Sequence, residues 1–180
     1  MADFQEHIIT MIPRLRRFAI SLAGNLSDGD DLLQNALERA LSRRATYKPE
    51  HNLDSWLFKI TQNIWIDQKR SEKRRGPVVD IDDAHHLVGE NGEQRVEQRD
   101  MSKKVLAAID ALPEDQRLIV TYVLVDGQSY KEAAEILDIP VGTVMSRLYR
   151  ARKALETLIH NPESAQKEKT PEAEQKNGTN

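Results

Sequence analysis

The sequence predicts an all-α protein of two small helical domains joined by a flexible acidic linker. Two observations carry that expectation. Apolar residues recur at helical spacing in separate segments on either side of residues 76–100, and that middle stretch is rich in Gly, Pro, Asp and Glu without a sustained period. A length of 180 residues also leaves room for two small cores, since single domains run to about 100–150 residues.

The first predicted domain covers residues 1–75. Ile8, Met11, Ile12, Leu15, Ala19 and Leu22 follow the helical repeat, with Asp3 and Glu6 as a capping box before them and Gly24 as a stop. Pro13 lies inside this stretch, where its missing N–H predicts a kink or a fresh helix start. Ser27 with Asp30 is expected to cap a second helix that turns Leu33, Ala36, Leu37, Ala40 and Leu41 inward and acids outward. After a loop from Thr46 to Asn52, a third helix places Leu53, Trp56, Leu57, Ile60 and Ile64 on one side, giving a bundle of three or four helices. Phe58, Gln62, Trp65 and Lys69 recur on a second face of that helix, apart from the core stripe.

The formal charge is only −3, but its distribution is uneven. Residues 69–75 (KRSEKRR) hold five cations against one acid, and the stretch from Val141 to Lys153 holds Arg147, Arg150, Arg152 and Lys153 with no acid. Between these basic faces, residues 76–100 hold seven acids against two arginines, which marks them as the linker. The second domain, 101–160, begins with a short helix around Met101 to Ala111. Pro113 opens another, whose buried side is Ile119, Val120, Val123 and Leu124 up to Gly127. Residues 161–180 have almost nothing to bury and read as a disordered tail.

Within the second domain the pattern is a helix-turn-helix. Ser129 and Glu132 form a capping box for a helix with small or apolar Ala133, Ala134, Ile136 and Leu137, and a tight turn follows at Asp138 and Ile139. Asp138 occupies a turn position that glycine commonly fills, and Asp tolerates positive φ better than most residues. After Pro140, Val144, Leu148, Ala151 and Leu155 face inward, leaving Thr143, Ser146, Arg147, Arg150 and Lys153 outward. Hydroxyls near the helix start and arginines further along suit the major groove, Arg147 as a guanine reader among them. An ordinary helical hairpin with a solvated basic face is the alternative.

The run SYKEAAEILDIPVGTVMSRLYRARKAL (129–155), preceded by ALPEDQR (111–117), resembles region four of extracytoplasmic-function (ECF) sigma factors. DGDDLLQNALERAL (28–41) and LDSWLFKITQNIWID (53–67) resemble their region two, so the likeness covers both predicted domains in the family's order and spacing. The resemblance implies a promoter-specificity factor that binds core RNA polymerase, recognises promoter DNA and promotes its opening, and is itself no enzyme. Region four would read the minus-thirty-five element through Thr143, Ser146, Arg147, Arg150 and Lys153. Asp31, Gln34, Asn35 and Glu38 would meet the clamp helices of the polymerase largest subunit, although Asn35 stands where the family usually has an acid. The flap of the second-largest subunit is the other implied polymerase contact.

The resemblance also implies that the minus-ten element is read as single-stranded DNA, with a base flipped into a pocket made by the Tyr47 to Ser55 loop. Tyr47, His51 and Asn52 would supply stacking and hydrogen bonds there. Asn63 matches a position near the duplex edge, Trp65 suits packing and DNA contact equally, and Lys59, Lys69, Arg70 and Arg74, with Lys73 and Arg75, would hold phosphates. An anti-sigma factor is a further implied partner. A stand-alone helix-turn-helix regulator and a sigma mimic that only sequesters an inhibitor are the competing readings.

Other features exclude function classes. There is no cysteine, hence no disulfide or thiolate site, and neither a Walker motif nor a nucleotide site is visible. No cofactor or metal is expected: His85 and His86 are adjacent histidines in an acidic stretch without a third spaced ligand. The paired carboxylates at Asp30 with Asp31 and Asp82 with Asp83 have no predicted pocket around them, so no acid-base catalysis is inferred. Asn177-Gly178-Thr179 satisfies a glycosylation pattern, but no signal peptide or membrane-spanning run is apparent, and a cytoplasmic protein without membrane insertion is expected.

Overall fold

The computed structural model describes residues 2–48, 52–75 and 93–160, apart from the side chains of residues 2, 3 and 93–99. His51, His85, His86, most of the expected linker (76–92), the tail (161–180) and the Asp3 side chain lie outside the described residues. Among the described residues all regular structure is helical. The N-terminal unit holds α1 (Ala2–Ala23), α2 (Leu26–Ser42), a 3-10 turn (Arg44–Thr46) and α3 (Leu53–Arg75). The C-terminal unit holds α4 (Glu93–Asp110), α5 (Glu114–Val120), a π-helical turn (Thr121–Val125), α6 (Tyr130–Leu137) and α7 (Val141–His160).

Helix α1 runs unbroken through Pro13. Both Pro13 and Ile9 are exposed, so the carbonyl that the proline leaves unpaired stands on the water side. Gly24 ends the helix as expected, at φ +85°, with its N–H donating to the Ile20 carbonyl at 2.9 Å. The expected cap of α2 is corrected by two residues: Asn25, not Ser27, is the N-cap, its Oδ1 accepting from the Asp28 N–H at 2.9 Å. Asp30 instead takes a two-pronged hydrogen bond from Arg16 (2.6 and 2.8 Å), which holds its carboxyl below the usual range. The inward stripe is Gly29, Leu32, Leu33, Ala36 and Ala40, whereas Leu41 is half exposed. The reason is a close crossing at Gly29, where a Cβ would stand 2.6 Å from the Ile20 Cα and no side chain has space.

In the second unit α4 begins at Glu93, eight residues before the expected start, because its Glu, Gln and Arg residues are good helix formers despite their charge. The buried side after Pro113 includes Leu118, Ile119, Val120 and Tyr122, but Leu124 is exposed, since the π-helical turn changes the periodicity midway. The helix-turn-helix forms as predicted. Ser129 Oγ accepts from the Glu132 N–H (3.2 Å), Glu132 Oε2 accepts from the Ser129 N–H (2.8 Å), and Asp138 adopts φ 55°, ψ 49°. Val144, Leu148 and Ala151 are buried and Leu155 partly so.

The two units share one continuous apolar core. At its centre Phe18 of α1, Phe58 of α3 and Tyr122 of the π-helical turn pack with ring centroids 4.7 to 6.1 Å apart. Fully burying a side chain of the phenylalanine class contributes about 1.5–3 kcal/mol, so this trio is a principal tie between the units.

Candidate nucleic-acid and polymerase interfaces

Helix α7 presents a cationic face. Helical spacing sets Ser146, Arg150 and Lys153 away from buried Val144, Leu148 and Ala151, and all three are exposed. Ser146 Oγ donates to the Thr143 carbonyl at 3.1 Å. Thr143 is half-buried at the flank. Arg147, one turn further along the same flank, has its side chain 30% exposed and its Nε 3.2 Å from Asp115 of α5. Arg147 thus stands at the edge of the outward face, paired within its own unit. Met145 and Tyr149, which sequence reasoning passed over, are also exposed on this helix. Tyr149 is 71% exposed beside Ser146, and a large apolar group out of phase with the buried stripe was the available signal.

On α2, Asp31, Gln34, Asn35 and Glu38 are all exposed, with the Gln34 amide donating to Glu38 Oε1 at 3.0 Å. Four polar groups on one face of a rigid helix make a surface able to receive cations and hydrogen-bond donors.

Around the predicted minus-ten pocket, Tyr47 is half-buried in an aromatic cluster with Phe4 (5.7 Å) and Trp56 (5.3 Å), and Arg44 lies over the Phe4 ring. Trp56 is accordingly half-buried and not a full member of the core stripe, which Leu57 is. Asn52 is exposed but engaged: its Oδ1 accepts from the Asp54 and Ser55 N–H groups (2.9 and 3.3 Å), so it caps the first turn of α3. Asn63, Arg70 and Arg74 are exposed, with Arg74 Nε donating to the Arg70 carbonyl, and Lys69 pairs with Glu72 at 2.8 Å.

The second face of α3 is an inner face, and of the two readings open for Trp65 it takes packing. Phe58, Gln62 and Trp65 are buried, and Lys59 Nζ donates to the Ile136 carbonyl of α6 at 2.7 Å. The C-terminal unit covers this face: Tyr122 donates its hydroxyl to Gln62 Oε1 at 2.9 Å, and Arg117 lies over the Trp65 ring. Burial pushes the Tyr122 hydroxyl well above its ordinary pKa and keeps it a donor. Beside it Arg14 grips Asp126 through Nε (2.6 Å) and Nη2 (2.9 Å) and reaches Asp54 at 2.9 Å. Its guanidinium pKa is raised chiefly by the Asp126 hydrogen bonds. None of these contacts is legible in one sequence, because packing between units and groove contact use the same kind of helix face.

Among the described residues no cluster of three or more His, Asp or Glu would hold a metal, and no helix is long and apolar enough to cross a membrane.

Comparison with known proteins places this arrangement in a family. Residues 102–155 match "Sigma-70, region 4" and residues 8–62 match "Sigma2 domain of PhyR". The chain is 38% identical over 158 residues to the ECF RNA polymerase sigma factor EcfG of Rhodopseudomonas palustris (strain TIE-1), covering 88% of this chain and 86% of that one. It is 31% identical over 141 residues to the ECF RNA polymerase sigma-E factor of Escherichia coli (strain K12), covering 73% and 74% respectively. The structure resembles the sigma factor RpoE of Bartonella quintana, solved with the anti-sigma factor NepR, at a TM-score of 0.70 and 29% identity, over 89% of this chain and 99% of that one. This chain belongs to the family of ECF RNA polymerase sigma factors.

Proposed function

We propose that the chain joins core RNA polymerase and divides promoter recognition between its two units. Helix α7 enters the major groove of the minus-thirty-five element, with Ser146 and Arg150 at base edges and Lys153 on phosphate. The Tyr47 to Ser55 connection and the basic last turns of α3 take the opened minus-ten strand, while the polar face of α2 meets the clamp helices of the largest subunit and the C-terminal unit meets the flap of the second-largest. Opening is driven by binding: a trapped base contributes about 1–3 kcal/mol of stacking, enough to offset unpairing of a short stretch. An anti-sigma factor that masks these surfaces is the expected regulator, in keeping with the complex in which the Bartonella relative was solved, and the site of action is the cytoplasm.

The observation that carries this reading is the exposed cationic face of α7 directly opposite its buried stripe. A mimic that only sequesters an inhibitor needs no such face, and a stand-alone regulator needs no polymerase. Purified chain and core polymerase are therefore expected to initiate at a cognate promoter, and Arg147→Ala with Arg150→Ala to abolish initiation. Tight duplex binding without polymerase, together with no initiation from any promoter in a genomic library, would favour the stand-alone regulator.

A further inference from the structure

Helix α7 carries two apolar stripes. Val144, Leu148 and Ala151 form the buried one. Val141, Met145 and Tyr149 recur one turn apart on a second, with 40%, 53% and 71% of their surface exposed. Single apolar residues on a surface need no explanation, but three at i, i+4 and i+8 make a continuous strip. At about 1.5 Å per residue it runs about 12 Å along the helix, and the fold does not cover it.

The setting of the strip tells what it fits. Met145 follows buried Val144 and is turned from it by about 100°, which brings it to one edge of the outward face. Thr143 and Arg147 lie along the other edge, with Ser146, Arg150 and Lys153 between the two. From Val141 to Lys153 there are four cations and no acid. Cations beside an apolar edge match what a major groove offers together: phosphates and base acceptors for the first, and the C5 methyl group of thymine for the second. We propose that Met145 is a specificity-determining residue whose side chain packs on the methyl group of a thymine in the minus-thirty-five element, with Val141 and Tyr149 keeping water from the contact. The proposal rests on the major-groove reading of α7 given above. An unbranched, polarisable methionine suits this contact, because its three rotatable bonds let it follow the methyl group. The helix is then a two-edged reader, its arginines selecting guanine acceptors and its apolar edge selecting thymine.

The test removes the methyl group from the DNA and the side chain from the protein. Holoenzyme assembled from the full chain and core polymerase selects promoters from a library randomised across the minus-thirty-five segment. Each thymine of the selected element is then replaced in turn by deoxyuridine, which lacks only the methyl group. At one thymine or two, the wild-type holoenzyme is expected to bind the deoxyuridine duplex about threefold or more weakly, as the loss of one buried methyl group implies. Met145→Ala is expected to bind both duplexes alike at that position, and Met145→Leu, still apolar, to keep the discrimination. Both variants are expected to fold as the wild type does, because Met145 is exposed. Indifference of the wild type to every deoxyuridine replacement overturns the proposal, as does discrimination that survives Met145→Ala. So does a Met145→Ala chain that loses affinity for core polymerase itself, which would make the strip a protein-docking surface. Holoenzyme that selects no promoter removes the sigma-factor reading and this inference together, whereas a selected promoter blind to the methyl group removes this inference alone.

Discussion

Helices α3 and α7 are both long and both carry cations, yet they bury themselves differently. On α7 one stripe (Val144, Leu148, Ala151) is covered and the opposite face is open, whereas α3 is covered on two sides, by its own unit along Leu57, Ile60 and Ile64 and by the other unit along Phe58, Gln62 and Trp65. A second periodic face on a helix therefore has no single meaning. On α7 the free face is polar enough to be a ligand surface, while on α3 it is a joint within the molecule.

Paired aromatic truncations give the largest test of that difference. Phe58→Ala, at a fully buried ring, is expected to cost about 3–5 kcal/mol in urea unfolding, and Tyr149→Ala on the open face to stay within about 0.5 kcal/mol. Comparable losses at the two positions would erase the contrast. Arg150→Ala comes next. It should weaken binding to a minus-thirty-five duplex by about 1–3 kcal/mol and leave the unfolding midpoint where it was, as read by fluorescence titration beside denaturation. Ser129→Ala removes one limb of the capping box of α6 and is expected to lower stability by about 1 kcal/mol, measured by thermal unfolding.

The smallest effect is in pH. The hydrogen bonds from the Ser129 side hold the Glu132 carboxyl below its ordinary range. Its contribution is therefore present above the ordinary carboxylate range and lost as pH falls through the lowered folded value. Glu132→Gln should flatten that part of the stability profile on acidification. A profile identical to that of the unaltered chain would deny the carboxylate its role.

Helix count, the helix-turn-helix, its cap and the left-handed Asp138 were legible because each depends on residues a few positions apart. Gly24 ended α1 for the same reason. What was hidden depends on distant partners. Leu41 looked inward by spacing until Gly29 brought α2 against Ile20 and turned the helix. Spacing alone does not show that Arg147 pairs with Asp115, nor that Tyr122 and Arg117, more than fifty residues away, cover Gln62 and Trp65. Asn52 was named for the right loop, and its present duty as a helix cap follows from the start of α3 one residue later.

The π-helical turn at Thr121–Val125 has a wider bearing. One additional residue in a turn offsets everything after it by roughly a quarter of a revolution, so a continuous rod acquires two bearings. Helix α5 packs on α7, while the π-helical turn meets α1, with Thr121 bonded to Ser21, and α3, with Tyr122 bonded to Gln62. Deleting one residue there would restore uniform winding and set those two contact surfaces in competition.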